Sequence, residues 1–328
     1  MSFLQCPKRL WLETHRPEVA TIDVATEAAF ATGHAVGNFA RRFYDRGRGV
    51  LIEYDAGLAA AIRRTGEALA DPQTTPIFEA TFEREQLLVR TDILERRHRD
   101  ARVIEVKAST AVKEEHVSDC AIQAWVVEAS RARPRQIALA HMNNQFEFRG
   151  DDDYDGLLLE KDLTGVVEPV KDQVPQWLTE AKRVLKREEP IVAIGTRCRA
   201  PYACPFVAYC WPKVEYPLTD LPSIGRKLDT FIARGYEDLR DVPGEMISGG
   251  RQTRVWRAAL SRVAELDPAA RAALATRAWP RFYLDFETVG PAIPLWPGTR
   301  PYQQIPFQWS LHIETARGDL RHAEFLDL

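Results

Sequence analysis

The chain has 328 residues, of which 45% are hydrophobic, and a formal net charge of −3. This length leaves room for two modules and a sizeable core, since domains usually run about 100–200 residues. The charge excludes a global basic field that would draw the whole molecule onto nucleic acid, so any polyanion contact must come from local patches.

In chain order, residues 27–45 place Phe30, Val36, Phe39, Ala40 and Phe43 at mixed three and four spacings, which predicts a helix. A second helix is predicted over 57–70, ending before Asp71-Pro72. A strand-rich block follows at 77–83, 86–94 and 103–107, with a turn at Arg84-Glu85. Residues 113–130 read as a helix, 137–141 as a strand, 145–148 as a short strand and 174–188 as a helix opening near Pro175. A cysteine-rich turn at 195–212 closes this first module. Two short helices are expected around Gly235 within 221–242, then one long helix over 252–277. From Trp279-Pro280 onward, three strands are expected at 282–288, 307–314 and 320–326. The organisation read from this pattern is a first module at 1–212, a helical connector at 213–278 and a second module at 279–328.

Local basic stretches are Arg41-Arg42, Arg96-Arg97-His98-Arg99, 131–135, and Lys182-Arg183 with Lys186-Arg187; solvated charged faces are the plain reading of each. The acidic run Asp151-Asp152-Asp153 reads as a loop. No apolar run reaches about 18 residues, so no membrane span is expected. The first nine residues carry Lys8 and Arg9 and lack an apolar signal core, so a cytoplasmic location is expected.

Chemistry concentrates in two places. On the strand Val103-Ile104-Glu105-Val106-Lys107, alternate side chains share a face, so Glu105 and Lys107 project together, roughly 6.6 Å apart along the strand. Ile104 and Val106 turn to a core. Asp92 lies on the preceding strand, and a hairpin would bring it beside Glu105. Two carboxylates and a lysine so placed could hold Mg²⁺ or Mn²⁺ through hard oxygens and orient a water. Glu79, on the strand before Asp92, could supply a further oxygen, as could the Val106 carbonyl. Gln123 sits on the following helix among Val117, Ala121, Ala124 and Val127, which would bury that helix against the sheet. His34, on the first helix between Gly33 and Gly37, reads as structural, with metal binding as its second role.

The five cysteines are Cys6, Cys120, Cys198, Cys204 and Cys210. An odd number without a secretion signal argues against a disulfide framework. Cys120 falls mid-helix beside Ala121 and reads as a core thiol. Four thiolates can hold zinc or a cubane cluster. Paired C-x2-C knuckles, usual for zinc, are lacking.

These residues carry a resemblance. Residues 3–11 around Cys6, Phe78-Glu79-Ala80, Arg90-Thr91-Asp92-Ile93-Leu94, Ile104-Glu105-Val106-Lys107, Ala121-Ile122-Gln123 and residues 201–211 resemble the RecB-like PD-(D/E)XK nucleases with an iron–sulfur clasp, similar to the CRISPR adaptation exonucleases. The common cysteine trio there is C-x2-C-x5-C, whereas this chain has C-x5-C-x5-C. The phrases span residues 1–212. Phe282-Tyr283-Leu284-Asp285-Phe286-Glu287-Thr288 and the run 301–308 resemble the opening of a DnaQ-type, RNase H-like module of unknown function, which a bacterial family joins to such a nuclease.

The resemblance implies an α/β fold: a restriction-endonuclease-like mixed sheet flanked by helices with an iron–sulfur clasp, then the connector and a partial RNase H-like sheet. It implies a Mg²⁺- or Mn²⁺-dependent deoxyribonuclease, of exonuclease type, acting on single- or double-stranded DNA in repair or defence, where a helicase is one kind of partner. Asp92, Glu105, Lys107 and Gln123 would be catalytic; Asp92, Glu105, Val106, Glu79 and His34 would surround the metal. Cys6, Cys198, Cys204 and Cys210 would hold a 4Fe-4S cluster. Asp285 and Glu287 share a strand face and read as a silent half-site. Two other readings stay open: a non-catalytic nucleic-acid-binding clamp, and a structural zinc protein.

Overall fold

The computed structural model describes residues 1–45, 47–97 and 100–327. His98 and Arg99, half of one basic stretch, lie outside the described residues. Two short helices, α1 (Ser2–Gln5) and α2 (Pro7–His15), lead to the long α3 (Val24–Tyr44). Asp23 caps α3 by accepting the Thr26 N–H at 2.8 Å, which satisfies a donor the helix itself cannot pair.

The main sheet runs in spatial order β1 (Val50–Leu51), β2 (Ile77–Arg84), β3 (Leu87–Arg97), β4 (Asp100–Lys107), β5 (Pro134–Met142) and β6 (Leu158–Asp162). Strands β2, β3 and β4 form an antiparallel meander. Strand β5 joins β4 in parallel, so the chain must cross over between them, and α5 (Glu114–Glu128) makes that crossing. The outer pairs are parallel for β1–β2 and antiparallel for β5–β6.

Alternation along the strands builds two cores. On one face, Leu94, Val103 and Leu139 pack against α4 (Leu58–Ala70), α5, α6 (Thr164–Lys171) and α7 (Val174–Leu185). Cys120 is buried there among Ala121, Ala124 and Val127, as its position mid-helix predicts. On the other face, Ile93, Ile104 and Ala138 pack against Val36, Phe39 and Ala40 of α3. Helix α8 (Val207–Cys210) closes the first module, and the connector holds α9 (Lys227–Ala233), α10 (Gly250–Ser261) and α11 (Pro268–Ala275), with a small core around Leu228, Phe231 and Leu239.

A separate antiparallel sheet of β7 (Arg281–Val289), β8 (Ile305–Glu314) and β9 (Leu320–Leu326) follows. It is amphipathic. Asp285, Ser310 and Glu324 line up in one cross-strand row, with His312 against His322 in the next. Phe282, Leu284 and Phe286 alternate with the acidic side chains of β7, and all three are exposed. The β7–β8 loop runs back onto the main sheet, where Ala292, Ile293 and Tyr302 join the α3-side core. The chain is thus mixed α/β, with a six-stranded mixed sheet and a second, three-stranded one among the described residues.

Three element expectations need correction. Residues 145–148 form no strand: Phe148 instead exchanges backbone bonds with the β7–β8 loop, its N–H to Thr299 O at 3.0 Å and its carbonyl from Gly298 N at 2.7 Å. Two strands had no expectation: β1, whose Val50 and Leu51 are both exposed, and β6, whose sequence Leu-Leu-Glu-Lys-Asp buries only Leu158. The helix expected over 252–277 is two, because Arg262 takes a left-handed conformation after α10 and Asp267 starts α11 by accepting the Ala269 N–H at 2.9 Å. No helix among the described residues is long and apolar enough to cross a membrane.

Candidate active site

The site forms where the antiparallel ladder of β3 and β4 opens. The last paired row toward the open end is Ile93 with Ile104. One step further, Asp92 faces Glu105, and the Asp92 carboxylate takes the Val106 N–H at 2.7 Å in place of a strand carbonyl. On the other side of β3, Phe78 pairs with Ile93 and Ala80 with Thr91, which sets Glu79 opposite Asp92. Glu79, Asp92 and Glu105 therefore lie in one row across three neighbouring strands. Glu79 is left-handed, with φ 55°, which costs a non-glycine residue about 1–3 kcal/mol and is typical of functional sites. Its carboxylate meets Arg41 of α3 at 3.3 Å and Arg90 at 3.0 Å.

Glu105 is the centre of the polar network. It is 6% exposed. Lys107 donates to its Oε1 at 2.6 Å, and Gln123 Nε2 to its Oε2 at 2.6 Å. Lys107 also donates to Asp119 Oδ2 at 2.7 Å. Gln123 Oε1 is buried with no partner, an arrangement that costs on the order of 1–3 kcal/mol unless a bound group completes it. Asp119 was not visible as a site residue in the strand motif. Its signal is its place four residues before Gln123 on one face of α5.

Charge follows from this crowding. Burial, opposed by the Val106 N–H and Lys107, pushes the Asp92 carboxyl up to about 6. Burial and then the charge of Asp92 raise Glu105 well above the carboxylate range. Burial alone would lower Lys107, but Glu105 and Asp119 more than reverse it and hold the ammonium above its ordinary value. A half-buried and a buried carboxylate that resist sharing negative charge fit a site whose counter-ion is a cation.

His34 is exposed on α3 and joins none of these bonds among the described residues. It lies two turns before Arg41, on the same face and about 10 Å away along the axis. Of the basic stretches, Arg41 is engaged with Glu79, and Arg96 donates to Leu69 O at 2.8 Å and Asp71 O at 2.9 Å.

The cysteines converge from the two ends of the first module. Cys6, Cys198, Cys204 and Cys210 line one narrow cavity together with Lys8, Arg9 and Arg197. All four are free thiols. Burial raises Cys204, and raises Cys210 to about 11, with the neighbouring cysteines adding to both shifts. The seam around them is closed by Gln5 Nε2 to Arg197 O (2.8 Å) and Tyr202 O (2.7 Å), Trp11 Nε1 to Arg187 O (2.9 Å), and Lys8 to Glu189 (2.7 Å). Tyr202 links seam and site: burial raises its hydroxyl, and it feels the charges of Lys107, Asp119 and Glu105. Among the described residues, no three His, Cys, Asp or Glu side chains gather closely enough to hold a single metal ion.

Residues 282–328 match a family described as a domain of unknown function, DUF2779. No curated protein matches the chain. The crystal structure of SSO0001 is similar over 64% of this chain and 83% of that one, at 13% identity and a TM-score of 0.30, a likeness too slight to carry an argument.

Proposed function

We propose that the chain is a Mg²⁺- or Mn²⁺-dependent nuclease of the RecB-like PD-(D/E)XK type, cutting DNA phosphodiester bonds as an exonuclease in repair or defence. The observation that carries this reading is the meeting of Asp92 and Glu105 at the open end of the β3–β4 ladder, with Lys107 and Gln123 bonded to Glu105. The donor set is hard oxygen, which suits a small divalent ion. The partnerless Gln123 oxygen and the crowded carboxylates both favour a bound cation.

Asp92 and Glu105, with the Val106 carbonyl, would hold the ion; Glu79, drawn to Arg41 and Arg90, and the exposed His34 would join only by turning toward it. When bound, the ion supplies Lewis-acid activation of water and stabilises charge on the phosphoryl group. The chain's own residues do the rest. Lys107 is held charged, so it positions the attacking water and faces developing negative charge instead of taking a proton. Asp119 and Glu105 fix its ammonium from two sides. Gln123 holds Glu105 in place. Arg41 and Arg90, gathered at Glu79, offer cationic groups to the DNA backbone.

The reading of a 4Fe-4S cluster is supported by four unpaired thiols lining one cavity, where Lys8, Arg9 and Arg197 would offset the negative charge of thiolate ligation. We read it as a clasp joining the two ends of a restriction-endonuclease-like module. The sheet β7–β9 is read as part of an RNase H-like module in which Asp285 and Glu287 are silent. The test is anaerobic purification followed by a Mg²⁺/Mn²⁺ cleavage assay on single- and double-stranded DNA. Glu105→Gln should lose at least about two orders of magnitude in rate, as losses at charge-stabilising positions do. A metal-loaded wild type that cuts neither substrate, or full activity in Glu105→Gln, overturns the reading.

A further inference from the structure

The β7–β8 loop is fastened to the first module at several points, and one of them touches the strand that carries Lys107. Tyr302 places its hydroxyl on the carbonyl of Ala108, the residue after Lys107. The ladder between β4 and β5 ends at Lys107 with His141, and one further backbone bond, Met142 N–H to Ser109 O at 2.9 Å, follows it; the Ala108 carbonyl lies between the two and is taken by Tyr302. Tyr302 is held for this contact: it is left-handed at φ 62°, its N–H bonds Pro291 O at 2.9 Å, and its ring packs in the α3-side core with Ala292 and Ile293. The other fastenings lie elsewhere on the loop. Tyr154 donates to Pro294 O at 3.2 Å, and Arg300 pairs with Glu147 at 3.1 Å.

We propose that Tyr302 is a positioning residue for Lys107, through which the C-terminal module braces the catalytic strand of the nuclease site. The inference rests on the nuclease reading above. The Lys107 ammonium must stay within hydrogen-bond reach of two carboxylates at once, and its backbone is fixed on one side by β5 and on the next peptide by Tyr302. A shift of about 1 Å in a positioned group can cost about 100-fold in rate, so a bond on the adjoining peptide is well placed to matter.

The test compares two single-hydroxyl deletions in the full chain. Tyr302→Phe removes the contact to Ala108 and keeps the ring; Tyr154→Phe removes a hydroxyl anchor of the same loop that lands away from β4. Cleavage kinetics and amide hydrogen exchange of residues 106–109 are measured for both. The expected result is a kcat about tenfold lower in Tyr302→Phe with KM unchanged, faster exchange over 106–109, and wild-type behaviour in Tyr154→Phe. Equal effects in the two variants would make the loop a general fastening and overturn the proposal. So would no effect in either, or a Tyr302→Phe protein that fails to fold. If the wild type is inert on DNA yet exchange rises only in Tyr302→Phe, the nuclease reading fails and the brace on β4 stands.

Discussion

Asp119 offers the sharpest probe of the site, because two opposing effects can be separated there. Its carboxylate accepts from Lys107 at 2.7 Å, and its side chain is 23% exposed. A hydrogen bond to a charged group is worth about 1.5–3 kcal/mol, and partial exposure places this one toward the lower end. If that bond holds the Lys107 ammonium where negative charge develops, Asp119→Ala should slow kcat by about 10- to 100-fold. The fold pays less, since the charge of Asp119 also repels Glu105 and its removal relieves that repulsion. The melting temperature should therefore move by only a few degrees. Asp119→Asn keeps an acceptor oxygen without the charge and should fall between wild type and alanine. Single-turnover cleavage of end-labelled single-stranded DNA at saturating Mn²⁺ reads the chemical step directly. A folded Asp119→Ala protein with wild-type kcat would refute the reasoning, leaving Glu105 as the sole anchor that matters to Lys107.

Two further outcomes follow from other parts of the molecule. Serine at Cys6, Cys198, Cys204 or Cys210 should bleach the visible absorption of anaerobically purified protein and speed amide exchange first at 1–12 and 195–212, whereas Cys120→Ser should do neither; a cross-link spanning Cys6 and the distant trio would contribute on the order of 5 kcal/mol by loop entropy. In the connector, the bonds from Arg240 hold the Asp238 carboxyl down to about 2, against about 3.9 when unfolded. A depressed carboxyl stabilises the fold above its unfolded pKa and loses that contribution as pH falls through the folded one. Acid titration followed by the fluorescence of Trp211 and Trp256, which pack on this core, should show loosening between about pH 4 and 2 that Asp238→Asn lacks.

What was legible in the sequence had short-range patterns. Alternation over 103–107 placed Ile104 in a core and Glu105 and Lys107 on the opposite face, and the strand order brought Asp92 to Glu105 as a hairpin requires. The cysteines could be grouped because thiols are rare enough for spacing to mean something. Asp119 escaped because an acidic residue in a charged helix has no pattern of its own; only its bond to Lys107 singles it out. Glu79 reads from the sequence as an oxygen donor, yet its backbone conformation and its two arginine partners are products of tertiary packing. Strand β6 buries too few side chains to alternate visibly. The docking of Ala292 and Tyr302 is a contact across well over a hundred residues, which no local period can announce.

That docking also imposes an order on how the protein is made. The last strand of the main sheet ends at Asp162, whereas the aromatic ring that completes its α3-side core belongs to Tyr302. A ribosome adding about 5–20 residues per second needs roughly 7–30 s to travel between them. During that interval the strand bearing Lys107 can pair on both sides, but the peptide after it has no hydroxyl to rest on. A nascent chain therefore carries an assembled yet unbraced site, and the bracing arrives only when the C-terminal module emerges.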